Sequence, residues 1–149
     1  MADDRKTNSP LGGNLRRTRV IFALAGLLLF GTLTSACEST PADRTAVIDL
    51  VNASRAKAGL RPLRENVTLD RKADAWAQRL RDVCSLSHSK LSDGAPAGWM
   101  KLGENVGYGG TIEQVHVAYM NSPGHRANIL DPSFTSMGAA AVWGDCPDG

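Results

Sequence analysis

The sequence predicts an α+β domain behind an N-terminal leader, and three observations carry that prediction. Apolar residues recur at helical spacing in three stretches, near residues 46–58, 69–80 and 112–119. Two short runs have strand-like composition: residues 106–110, which break on glycines, and residues 137–143, apolar throughout, whose three alanines leave a helix open as the alternative. The first 36 residues are of another kind, basic and then apolar. A chain of 149 residues suits one domain with a modest core.

The elements follow in order. Residues 1–19 are polar and basic, and residues 20–33 form an apolar run of 14 ending in Thr34, Ser35, Ala36 and Cys37. A membrane-spanning helix needs roughly 20 apolar residues, so this run, with its basic flank and small residues, predicts a signal peptide over residues 1–36. Residues 33–37 resemble a bacterial lipobox with its leucine one place early, which makes Cys37 the expected lipidation site, palmitate included. An ordinary cut near Ala36 and an uncut anchor are the alternatives. Residues 37–42 are predicted as a polar tether, and the five residues after Cys37 reach at most ~17 Å, so a lipidated Cys37 holds the domain (residues 43–149) close to a membrane. A first helix is expected from Asp43 or Arg44, with Ala46, Val47, Leu50 and Val51 on its apolar face and Gly59 as its stop. Leu60, Pro62 and Leu63 read as a turn-like apolar patch. A second helix is expected from about Leu69, through Ala73, Trp76, Ala77 and Leu80, to a point near Cys84. Residues 85–99 are rich in serine, glycine and proline, and His88 among them reads, taken alone, as a solvent-exposed loop histidine. Ile112, Val115, Ala118 and Tyr119 predict a third helix, with His116 at the border of its stripe as a satisfied core histidine. Pro123 and Gly124 predict a turn, and residues 126–130 a single helical turn before Pro132.

The chain carries 17 basic and 15 acidic residues. Arg5, Lys6, Arg16, Arg17 and Arg19 lie in the leader against only Asp3 and Asp4, so the remainder is near neutral and has no basic footprint for nucleic acid. Of three cysteines, Cys37 belongs to the leader. Cys84 and Cys146 remain as an even pair, suited to a disulfide in an exported domain, with two free buried thiols as the alternative.

Residues 103–130 concentrate glycines and polar groups: Glu104 and Asn105 after Gly103, then Ser122, Pro123, Gly124, His125, Arg126 and Asn128. Buried polar groups are costly unless paired, so such density marks a site or a polar brace. Together with Leu50, Val51, Asn52 and Arg55, with Trp76 and Ala77, and with His88 and Ser89, these segments resemble the CAP superfamily of cysteine-rich secretory, antigen five and pathogenesis-related proteins, in its bacterial form, over about residues 45–143. The resemblance implies an α-β-α sandwich with a small, mainly antiparallel sheet and a surface cleft. The chain is short beyond residue 143 relative to the family, so a missing last strand is one expectation and an incomplete sequence is the other.

In the family's eukaryotic members the cleft holds two histidines and two glutamates. Carried over, these are His88, Glu104 and His125; the fourth place falls at Ser122, and Tyr119 stands where a tryptophan is usual. Glu113 lies too early to replace the missing carboxylate. Two imidazoles and one carboxylate match a zinc site with an open fourth position, so Zn²⁺ or another divalent cation is one expectation. A His-Glu-His hydrogen-bond cluster that braces the loops is the other, with Glu104 chiefly structural and His125 chiefly functional. The functional expectation is an exported, lipid-anchored, non-enzymatic binding module at the cell envelope, for a lipid, an envelope component or a protein. The alternative is a metal-dependent hydrolase or protease, although the chain has no HExxH and Ser122 with His125 is a poor nucleophile-base candidate by spacing alone.

Overall fold

Thr40 opens the first helix. In the computed structural model, which describes residues 39–146, Thr40 Oγ1 accepts from the Asp43 amide (3.1 Å) and the Asp43 carboxylate accepts from the Thr40 amide (3.2 Å). Pro41 follows at the first helical position, where a missing N–H costs nothing. Helix α1 (Pro41–Lys57) therefore absorbs the last two residues of the expected tether. The signal peptide, the lipobox and Cys37 lie outside the described residues.

The apolar patch after α1 leads into a strand rather than a simple turn. Asn52 Nδ2 donates to Leu63 O (3.1 Å) and Leu63 N donates to Asn52 Oδ1 (2.8 Å), a two-point amide clamp that aims the chain into β1 (Arg64–Glu65). Asn66 then caps α2 (Val67–Val83), its side chain accepting from the amides of Thr68 and Leu69. Helix α2 ends at Cys84, whose left-handed backbone (φ 47°) is held in place by a disulfide to Cys146. Thr111 caps α3 (Ile112–Asn121) through the Gln114 amide. Ser122 ends α3 and begins α4 (Pro123–Ile129). Pro123 and Gly124, expected as a turn, are the first residues of this helix, because a proline at the first position is pre-set for helix.

Strand β2 (Ser136–Met137) pairs with β1 in parallel, Arg64 opposite Ser136 and Glu65 opposite Met137. The α+β expectation stands, but the ladder is parallel where a mainly antiparallel sheet was expected. Three helices lie between the two strands, and so long a connection permits the parallel sense. Of the expected strand over residues 137–143 only Met137 joins the ladder, and residues 106–110 join none among the described residues. Residues 106–110 run too close to α3: a Cβ on Gly107 would sit 2.8 Å from the Tyr119 ring. Residues 138–143 are held by side chains instead. Ala139 N donates to Asp70 Oδ1 (3.0 Å), Ala139 O accepts from Arg44 Nε (3.2 Å) and Ala141 N donates to Ser39 Oγ (3.0 Å). Gly138 passes so near α2 that a Cβ would lie 2.1 Å from the Leu69 carbonyl carbon.

Val51, Leu63 and Ile129 form the buried centre, with Tyr119, Met120, Leu130, Phe134 and Met137 packed around them. Arg55 is the most buried large side chain, 1 % exposed. Its Nε donates to Arg61 O (2.9 Å) and its Nη1 to Ile129 O (2.7 Å) and Asp131 O (2.9 Å). The cation thus satisfies carbonyls at the end of α4, where the helix dipole is negative. This bond set fixes α4, and with it His125, against α1.

Candidate functional site

Glu104 is the organising residue of the candidate site. Its Oε1 accepts from His88 Nδ1 (2.8 Å) and from Ser89 N (2.8 Å), and its Oε2 accepts from Ser89 Oγ (2.6 Å). The loop of residues 85–100 is thereby fastened to the Gly-Glu-Asn segment by one carboxylate. Burial pushes the Glu104 carboxyl up, but the bonds from Ser89 and His88 outweigh it, and the group is held below the usual glutamate range. A carboxylate can only accept, so His88 carries a proton on Nδ1 and leaves Nε2 for a ligand or water, on a side chain that is 62 % exposed.

The same segment is fastened on its other side to α4. Asn128 Nδ2 donates to Glu104 O (3.2 Å) and to Asn105 Oδ1 (2.9 Å), while Asn105 Nδ2 donates to His125 O (3.1 Å). Gly103 is required here, since a Cβ would meet the Phe134 ring at 2.9 Å. Beside it, Lys101 pairs with Asp131 and lies 5.3 Å from the centre of the Phe134 ring. The Asp131 carboxyl is held well below the usual range by Lys101 and by Ser133.

His125 is half-buried on α4. Its Nδ1 shares a hydrogen bond with Ser122 Oγ (2.9 Å), and its ring lies 4.7 Å from that of Tyr119 at a 32° tilt. Burial, and secondarily the charge of Glu104, pushes the Tyr119 hydroxyl up to about 12, so it stays protonated at neutral pH. His116 bridges α3 to α1 through its Nε2 and Ser54 Oγ (2.8 Å), as expected of a satisfied core histidine.

The structure therefore brings His88 and Glu104 together, and Ser122 and His125 together. Among the described residues, no group of three or more His, Cys, Asp or Glu side chains converges to hold a metal ion. The reason lies in the bonds just given: the Glu104 oxygens are engaged by His88 and Ser89, and His125 Nδ1 turns to Ser122 on its own helix. In this arrangement Glu104 serves as a brace of the His88 loop. The Ser122–His125 contact has no third polar group orienting the imidazole among the described hydrogen bonds, so it lacks the arrangement of an activated nucleophile.

Sequence reasoning assigned no role to Ser89, Asn105, Asn128 or Arg55, although each stands in a segment that the family resemblance had marked. The density of asparagine and serine around Glu104 was the available signal.

The sequence profile of the Cysteine-rich secretory protein family (CAP) matches residues 48–148. The chain belongs to this family. Its CAP domain is 41 % identical over 120 residues to the YkwD protein of Bacillus subtilis, an alignment covering 74 % of this chain and 47 % of the relative. The chain thus spans about half the length of that curated relative. Among solved structures it is similar to an outer surface protein from Borrelia burgdorferi, with TM-score 0.60 and 20 % identity over 66 % of this chain and 80 % of that one. It is also similar to an extracellular protein containing a SCP domain from Bacillus anthracis, with TM-score 0.58 and 24 % identity over 67 % and 37 % of the two chains. At these identities the structural likenesses establish the CAP fold alone.

Proposed function

We propose that this CAP-domain protein is an exported, lipid-anchored binding module that works without catalysis at the cell envelope. Its cleft, between the His88 loop and α4, engages a lipid, an envelope component or a protein. The observation that carries the reading is the fate of Glu104. The carboxylate that a metal-dependent hydrolase or protease would need spends its oxygens on the His88 loop, and what remains at the cleft is a set of hydrogen-bonding groups around an exposed imidazole and a half-buried one. Export and anchoring rest on the basic flank, the apolar run of 14 and the lipobox-like end at Cys37. An outer surface protein and an extracellular protein among the structural relatives support the same placement. No observation favours the hydrolase.

Elemental analysis and co-sedimentation test the reading together. The mature protein, prepared without chelator or added metal, is expected to carry well under one equivalent of zinc, and to sediment with isolated cell-envelope fragments through contacts that His125→Ala weakens. A full equivalent of zinc, together with hydrolysis of casein or of a nitrophenyl ester that is lost in His125→Ala, would replace this reading with the hydrolase.

A further inference from the structure

The fold takes hold of the chain at Ser39. Its amide donates to Asp74 Oδ1 (2.9 Å), its hydroxyl accepts from the Ala141 amide (3.0 Å), and the residue is buried. Thr40 follows at once as the cap of α1. The tether expected over residues 37–42 therefore ends two residues after Cys37, and two residues reach at most ~7 Å. The headgroup region of one leaflet is itself roughly 5–7 Å thick. With an acyl chain on Cys37 the domain has no slack, and the surface around Ser39 is held at headgroup level.

A large aromatic side chain stands on that surface, tied to it by two routes. Trp143 lies two residues beyond Ala141, which Ser39 holds, and its indole N–H donates to the Asp43 carboxylate, which also accepts from the Thr40 amide and hydroxyl. The ring is nonetheless 51 % exposed. An indole has an apolar body and a polar edge, and both are satisfied where water gives way to hydrocarbon, which is why tryptophan collects at membrane interfaces. Charge offers no rival attraction. Arg71 and Arg79 share the shallow groove of α2 beside Ser39 with Asp74 and Asp82, and Asp43 adds a further negative charge, so the face has no basic patch to seek anionic lipid. The end of α4 is held elsewhere. It is bound by Arg55, which lies fifteen residues after Thr40, about 22 Å along α1 at the helical rise.

We propose that Trp143 and the surface around Ser39 form a membrane-docking face, in which the indole enters the headgroup–acyl boundary of the bilayer that carries the anchor and α4 is held off the lipid. The proposal rests on the reading of Cys37 as the lipidated residue. Its test supplies the anchor chemically, so failure of docking and failure of lipidation are told apart.

The mature chain, residues 37–149, is made without its leader, so that Cys37 remains a free thiol outside the Cys84–Cys146 bridge. Cys37 is coupled to a maleimide-headgroup phospholipid in phosphatidylcholine vesicles whose acyl chains are brominated near the headgroup. Tryptophan emission is expected to be quenched alike in wild type and Trp99→Phe, and about threefold less in Trp143→Phe. Trp99 is the control because it is equally exposed (50 %) but stands on the loop that Glu104 fastens. Amide exchange of the wild type needs no variant: relative to the uncoupled protein it is expected to slow at residues 142–144 and to stay unchanged at residues 123–129. The proposal is overturned by equal quenching in wild type and Trp143→Phe, by quenching lost in Trp99→Phe, by unchanged exchange at residues 142–144, or by quenching that arises only when phosphatidylglycerol is added.

Discussion

Glu104 shows at the residue scale how one carboxylate ties a loop to its neighbour. It takes three hydrogen bonds from His88 and Ser89, so Glu104→Ala is expected to leave the Ser89 amide and hydroxyl without their partner, at about 1–3 kcal/mol of stability by urea unfolding. His125→Ala is expected to cost less, since its side chain holds one bond within its own helix. A larger loss for His125→Ala than for Glu104→Ala would reverse the assignment of brace and binder. The pH dependence has a definite sign. The folded carboxyl lies below its ordinary 4.5, so its contribution is complete above about that pH and is lost as the pH falls through the depressed folded value. His116 acts earlier in an acid titration. Burial, aided by the charge of Lys57, holds it below 6.5, so the unfolded chain takes up its proton first and stability declines as the pH drops below that value. Denaturant midpoints measured from pH 8 to 3 should therefore show a first decline that His116→Gln reduces and a second, shared with Asp131, that Glu104→Gln reduces; a profile unaltered by either variant would contradict both assignments.

At the scale of elements, the caps decide where helices start. Thr40 with Asp43, Asn66 and Thr111 each satisfy amides of a first turn that nothing else in the helix can reach. Asn66→Ala is expected to cost about 1 kcal/mol, because its side chain accepts from two amides at the entry to α2. Thermal unfolding measures it, and a change under ~0.3 kcal/mol would mean that α2 is held chiefly by the disulfide and its packing. Caps are short-range, which is why helix starts were legible to within a few residues. The start of α1 was misplaced by reading Pro41 as tether, and α4 by reading Pro123 as a turn. Both prolines sit at a first helical position, and composition alone does not separate that use from a turn.

The whole molecule depends on ties between distant parts of the chain. The bridge from Cys84 to Cys146 closes a sequence separation of 62 residues and joins the end of α2 to the segment that follows β2. Replacing both cysteines with serine is expected to cost about 4 kcal/mol in the chain-entropy view. Urea midpoints of the oxidised wild type and the double variant provide the check, and a loss under 1 kcal/mol would show that the unfolded chain is little constrained by the bridge. Anchoring belongs to this scale too. Under the proposed anchoring, detergent partition is expected to fall when Cys37→Ala is introduced, and equal partition of wild type and variant, with the predicted leader removed in both, would exclude lipid at that residue.

By itself, the sequence determined the features that local periodicity and short motifs encode. Helical stripes placed α2 and α3, the even cysteine pair suited the disulfide, and the Gly-Glu-Asn and Gly-His-Arg segments carried the family. Tertiary structure decided what depends on partners far along the chain. It joined Arg64–Glu65 to Ser136–Met137 in parallel, buried Arg55 beneath the end of α4, and bonded residues 138–143 to side chains instead of a neighbouring strand. It also decided that His88 meets Glu104 while His125 turns to Ser122. Spacing along a chain limits which residues can share a helix face or a turn, but a hydrogen bond across the fold depends on where two backbones arrive, and only the packed structure holds that information.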